Sequence, residues 1–173
     1  MNIDFKDTAY LKEGNKKQKQ AYRIITEHQI LDVVKDYDPI VVGTIPIDID
    51  IEGSDIDIIL QATELDALRE LLTKHFSKYQ TFQIIFSGDE ILTCSFETEG
   101  TAIELFAKDE ITTNQNGYRH MIKEYEILQS KGPDFAQKIR DLKRKGIKTE
   151  PAFCKMLDIK GDPYIELLNY QVR

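Results

Sequence analysis

An acidic run broken by isoleucines constrains this chain more than any other feature: GTIPIDIDIEGSDIDII, from Gly43 to Ile59. Five carboxylates, Asp48, Asp50, Glu52, Asp55 and Asp57, fall within ten positions. Two like charges about 4 Å apart repel by roughly 4 kcal/mol at an effective dielectric of ~20. Alternation answers part of the difficulty. On a strand, side chains two apart share a face. Asp55 and Asp57 therefore point one way, while Ile56, Ile58 and Leu60 point the other way into a core. Two carboxylates on one face can hold a hard divalent cation, and magnesium takes oxygen ligands that it commonly shares with substrate phosphates.

A paired-metal site of this kind needs a further carboxylate from another strand. Glu104 in TAIELFAKD is the candidate, because Ile103 and Leu105 face one side and Ala102, Glu104 and Phe106 the other. A glutamate among apolar residues needs a partner if it is buried. A metal is one such partner; an ion pair with Lys108 or Arg119 is the other. Gly43 and Thr44 precede Asp55 at a strand end. A glycine there lets a phosphate approach the backbone, and the hydroxyl and amides that follow can bind it. Asp48 and Asp50 are expected on a solvated connector or as edge charges that block strand pairing; the alternative is that one of them tunes the metal site or binds an acceptor amine.

The rest of the chain supplies the frame. Residues 6–36 carry apolar residues at helical spacing, broken at Gly14-Asn15. Asp38-Pro39 ends that pattern, and PIVVG reads as a short buried strand. A helix runs from about Leu65, with Thr63 and Asp66 placed to cap it, to about Tyr79. TFQIIFS, ILTCSFE and AIELFA, joined by the turns Gly88-Asp89 and Glu99-Gly100, predict an antiparallel meander. Helices fill the chain after Asp109, with Pro133, Pro151 and Pro163 near their starts. The expected organisation is one domain over residues 1–173, with N-terminal helices at 1–37, a motif-bearing sheet core at 39–107 and C-terminal helices at 110–173. The fold class is α/β (α+β), a mixed sheet with flanking helices.

Composition narrows the partners. The net charge of −7 disfavours an extended DNA footprint. The basic exception is KIRDLKRKGIK, with Lys138, Arg140, Lys143, Arg144, Lys145 and Lys148. It is either a solvated face or the place for triphosphate or polynucleotide contacts. Arg119, His120 and Lys123 open the helix after the Glu104 strand. They are either aimed at phosphates, with Arg119 and Lys123 as the nucleotide-binding cations, or a polar helix face. Cys94 and Cys154 fit no metal spacing and read as small buried groups. With no apolar leader in the first twenty residues and no long apolar span, the expected compartment is the cytoplasm.

Gly43-Thr44, an Asp-x-Asp twelve residues later inside SDIDII, and a later carboxylate strand together resemble the nucleotidyltransferase superfamily with the polymerase-beta-like fold. Gly43 matches the family glycine, and Thr44 takes the place of its usual serine. Asp55 and Asp57 match the two metal aspartates, and Glu104 the third carboxylate. The resemblance implies Mg2+ or Mn2+ as cofactor and a nucleoside triphosphate as substrate. It implies transfer of a nucleotidyl group to an acceptor, a small molecule or RNA, with release of pyrophosphate. GTIPIDIDIEGSDIDII, IELFAKD, YRHMIKEYEIL and GIKTEPAFCKML more narrowly resemble a bacterial branch, the domain of unknown function family 4269. One departure stands out. The loop between the glycine and Asp-x-Asp, TIPIDIDIEG, carries no basic residue. A non-catalytic binding module and a metal-dependent phosphohydrolase are the alternatives to the transferase.

Overall fold

The computed structural model describes residues 3–172. A five-stranded sheet is built from β1 (Ile40–Val42), β2 (Ile56–Gln61), β3 (Gln80–Ser87), β4 (Ile91–Thr98) and β5 (Thr101–Lys108). Its spatial order is β1-β2-β5-β4-β3. β3, β4 and β5 form the expected antiparallel meander. β1 pairs antiparallel with β2, and β2 runs parallel to β5. The sheet is therefore mixed, and the parallel pair at its centre joins the two halves of the motif.

Helices cover both faces. α1 (Ala9–Lys12), α2 (Lys16–Glu27), α3 (Ile30–Val33) and α4 (Leu65–Phe76) lie on one side. Leu11, Ala21, Ile24, Ile30, Leu68 and Leu72 pack there against Ile56, Ile58 and Leu60 of β2 and Ile103 and Leu105 of β5. Each such leucine or isoleucine contributes about 1.5–3 kcal/mol through burial. Phe76 stacks on Phe96 of β4 at 4.8 Å between centroids. The break at Gly14-Asn15 is an N-cap. The Asn15 side chain accepts from the Gln18 amide at 2.8 Å, and Gln18 Oε1 accepts from the Asn15 amide at 2.9 Å. The expected cap at Thr63 does not form: α4 starts after Glu64, with no side-chain capping bond. Its stability comes from the buried stripe Leu65, Leu68, Leu72 and Phe76.

The other face carries α5 (Asn116–Lys131), α6 (Pro133–Arg144), α7 (Thr149–Leu157) and α8 (Pro163–Asn169). Met121, Ile127, Ile139 and Phe153 pack against Ile40 and Val42 of β1 and Ile59 of β2. Alternation assigns Asp57 and Glu104 to this second face. Cys94 and Cys154 are buried and unbridged, as expected. Among the described residues, no helix is long and apolar enough to cross a membrane.

Candidate active site

Two ladders set the geometry of the site. In the antiparallel pair, Val42 lies opposite Asp57, so Gly43 follows at the end of β1 beside that aspartate. In the parallel pair, Asp57 lies opposite Glu104. Residues in register across a sheet share a face and sit about 5 Å apart. Asp55, two residues before Asp57, precedes β2 and is exposed, while Asp57 and Glu104 are half-buried. Asp57 and Glu104 are thus neighbours on one face near the start of the β2–β5 pair, with Asp55 just ahead of β2.

Their electrostatics follow from that placement. Burial pushes the Asp57 carboxyl up to about 7, with Asp55 and Glu104 adding repulsion and Lys143 partly offsetting it. Burial and then Asp55 raise Glu104 as well. Neither alternative ion pair for Glu104 dominates, since Lys108 pairs with Glu110 at 2.5 Å and Arg119 bonds Asn116 at 3.3 Å.

The loop from Gly43 to Asp55 is held by both its apolar and its polar residues. Ile45, Ile47 and Ile49 are buried. The Ile49 amide donates to the Thr44 carbonyl at 3.1 Å, and Ser54 Oγ accepts from the Ile51 amide at 2.9 Å. Gln18 donates to the carbonyls of Ile45 and Pro46. Asp48 is exposed and accepts from Asn15 Nδ2 at 2.5 Å. Asp50 is half-buried, and its carboxyl is raised chiefly by burial. It therefore departs from the expectation of a fully solvated connector.

The basic stretch does not lie free in solvent along its whole length. Arg140 donates to the Asp48 carbonyl, Lys143 Nζ to the Ile49 carbonyl at 2.7 Å, and Arg144 to Glu52 at 3.1 Å. One face of α6 is laid across the acidic connector. Burial lowers the Lys143 ammonium to about 8, against the opposing pull of Glu124, Asp50, Glu150 and Asp55. Lys143, about ninety residues downstream, thus contacts a loop that carries no cation of its own.

Two cavities meet at this point. One of about 600 Å³ is lined by Gly43, Thr44, Asp57, Glu104, His120 and Glu150, among others. The second, about 460 Å³, is lined by Thr44, Ser54, Asp55, Asp57, Lys143 and Lys148 among its residues. Thr44 and Asp57 border both. Arg119 and Lys123 border neither. Arg119 is exposed, and Lys123 Nζ donates to the Tyr170 carbonyl at 3.2 Å and pairs with Glu126 at 3.5 Å. Sequence reasoning had marked the basic stretch as a whole. It had not singled out Lys143, because nothing local says which of six cations will meet the carboxylates.

A mixed five-stranded sheet with helices on both faces, carrying paired carboxylates behind a glycine turn, defines a nucleotidyltransferase-like fold. Within that class the chain belongs to the family described as Domain of unknown function (DUF4269), whose model matches residues 23–170. None of the curated proteins matches it in sequence. Among solved structures it is similar to a cytoplasmic RNA terminal U-transferase, with a TM-score of 0.60, 11% identity, and coverage of 87% of this chain and 52% of that one. It is similar to the Cid1 poly(U) polymerase with magnesium and 3′-dATP bound, at 0.59, 9% identity, and 79% and 45% coverage. It is also similar to the polymerase core of TRAMP, an RNA surveillance complex, at 0.51, 16% identity, and 92% and 50% coverage. The chain spans about half the length of these proteins, and at such identities the likeness is one of fold.

Proposed function

We propose that this protein is a metal-dependent nucleotidyltransferase that moves a nucleotidyl group from a nucleoside triphosphate to a hydroxyl acceptor. The observation that carries the reading is the register of Asp57 against Glu104 on adjacent parallel strands, with Asp55 two residues upstream. The donor set fits a hard cation. Its three side chains are all carboxylates, and burial, with repulsion among them second, raises two of them, a shift that a bound cation opposes. Mg2+ or Mn2+ held there supplies charge neutralisation and a more acidic acceptor hydroxyl.

The protein groups divide the remaining work. Asp55 and Asp57 hold the metal, and Glu104 completes the set and accepts the proton of the acceptor hydroxyl. Gly43 and Thr44 offer backbone amides and a hydroxyl to triphosphate oxygens. Lys143 and Lys148, which line the second cavity with Thr44, take the part expected of Arg119 and Lys123. The acceptor is a small molecule or the end of an RNA, since a net charge of −7 suits a local contact rather than a long tract.

Nucleoside triphosphates labelled at the α- or γ-phosphate, with Mg2+ or Mn2+, test the reading. The expected result is pyrophosphate together with an α-labelled acceptor. Free phosphate alone identifies a phosphohydrolase. No turnover, with no stabilisation by metal plus nucleotide beyond that of the Asp55→Asn, Asp57→Asn double variant, leaves a non-catalytic module and overturns the proposal.

A further inference from the structure

A second cluster of ligating side chains lies between the C-terminal helices and uses none of the three carboxylates above. α5 carries His120 and Glu124 four residues apart, hence on one face. Glu150, in the first turn of α7, reaches the same point. One ligand atom from each residue lies within 4.8 Å of the others. The cluster is deep: His120 is 6% exposed and Glu124 4%. His120 Nδ1 is buried with no hydrogen-bond partner. Burial and the neighbouring Glu150 hold the Glu124 carboxyl well above its ordinary range. Lys143 is the nearby cation, but its Nζ donates to the Ile49 carbonyl and it also faces Asp50 and Asp55. Buried polar groups normally have partners, and this set has the composition of a metal site.

We infer that His120, Glu124 and Glu150 bind one divalent transition ion, zinc foremost. An imidazole beside two carboxylates suits zinc, whereas magnesium prefers oxygen donors throughout. Ligand bonds of about 2.0–2.2 Å are compatible with ligand atoms gathered within 4.8 Å of one another. Three protein ligands leave a position for water, as in open zinc sites. His120 and Glu150 both line the larger cavity, so the ion joins α5 to α7 in its helical wall.

The test uses the full chain stripped with a chelator and dialysed against zinc. The expected result is one zinc per chain, with affinity lowered at least about tenfold in Glu124→Gln and in Glu150→Gln, a change of ~1.4 kcal/mol or more. The Asp55→Asn, Asp57→Asn variant keeps its zinc, which separates this site from the proposed catalytic one. X-ray absorption at the zinc edge of the wild type shows an imidazole with oxygen ligands, a readout that stands even if a glutamine variant misfolds. No stoichiometric zinc, loss of zinc in the double aspartate variant, or a spectrum without imidazole overturns the inference.

Discussion

Gly43 lies so close to Asp57 that a Cβ placed on it would sit 2.3 Å from Asp57 Oδ2 and 3.3 Å from its Cγ. Its φ of +81° is in the left-handed region, where an L side chain costs roughly 1–2 kcal/mol. The motif glycine therefore makes room for the aspartate as well as exposing backbone to a ligand.

Gly43→Ala is expected to lower stability by about 1–3 kcal/mol from backbone strain and the carboxylate contact together. It is also expected to weaken stabilisation by magnesium, because Asp57 must move. Urea unfolding with and without Mg2+ checks both. Wild-type stability in the variant would contradict the close contact.

Asp57 is expected to make metal-free stability fall as pH rises. Its folded value, about 7, lies above the ordinary 3.8, so between them the folded state binds more protons than the unfolded chain. By linkage, stability decreases through that window, and Glu104 contributes with the same sign. Metal-free melting temperatures from about pH 4.5 to about pH 8 should show a shallower decline in Asp57→Asn than in wild type. Saturating Mg2+ should offset the decline in wild type alone. Parallel profiles for the two proteins would show that Asp57 is not the titrating group.

Lys143→Met removes the ammonium that α6 brings to the acidic connector. Nucleoside triphosphate affinity should fall about tenfold or more, equivalent to ~1.4 kcal/mol. The Asp57 carboxyl should rise further, since Lys143 lowers it. Calorimetric nucleotide titration measures the first effect, and carboxyl NMR titration the second. Unchanged nucleotide affinity would remove Lys143 from the phosphate site.

Arg119→Ala and Lys123→Ala should each leave nucleotide binding within about twofold of wild type, because neither side chain borders the two cavities. Lys123→Ala should instead cost about 0.5–1.5 kcal/mol of stability through its lost bond to the Tyr170 carbonyl. Nucleotide titration and urea unfolding measured in parallel separate the two effects.

Much of the frame was legible because it is written locally. The alternation through Ile56, Ile58 and Leu60 assigned Asp57 to the face opposite the core. Short turns at Gly88-Asp89 and Glu99-Gly100 could join only antiparallel neighbours. The break in the apolar pattern at Gly14-Asn15 fell where the structure starts α2, with Asn15 as its cap. The cap at Thr63 failed because burial of Leu65, Leu68, Leu72 and Phe76 fixes α4 without it. Asp50 was misplaced because the neighbouring isoleucines draw the connector inward, and their burial brings the intervening acid part of the way.

The sequence alone determined which side chains share a face within one strand, since that depends only on the two-residue period of an extended chain. It therefore placed Asp55 beside Asp57, and Glu104 opposite Ile103 and Leu105. Only the tertiary structure decided that β2 and β5 run side by side with Asp57 opposite Glu104, and that α6 lays Lys143 over the connector. It also brought Glu150 to His120 and Glu124. Those pairings join residues far apart in the chain. They arise because both faces of the sheet and the apolar sides of the helices must be buried together, and no local pattern encodes the register in which that happens.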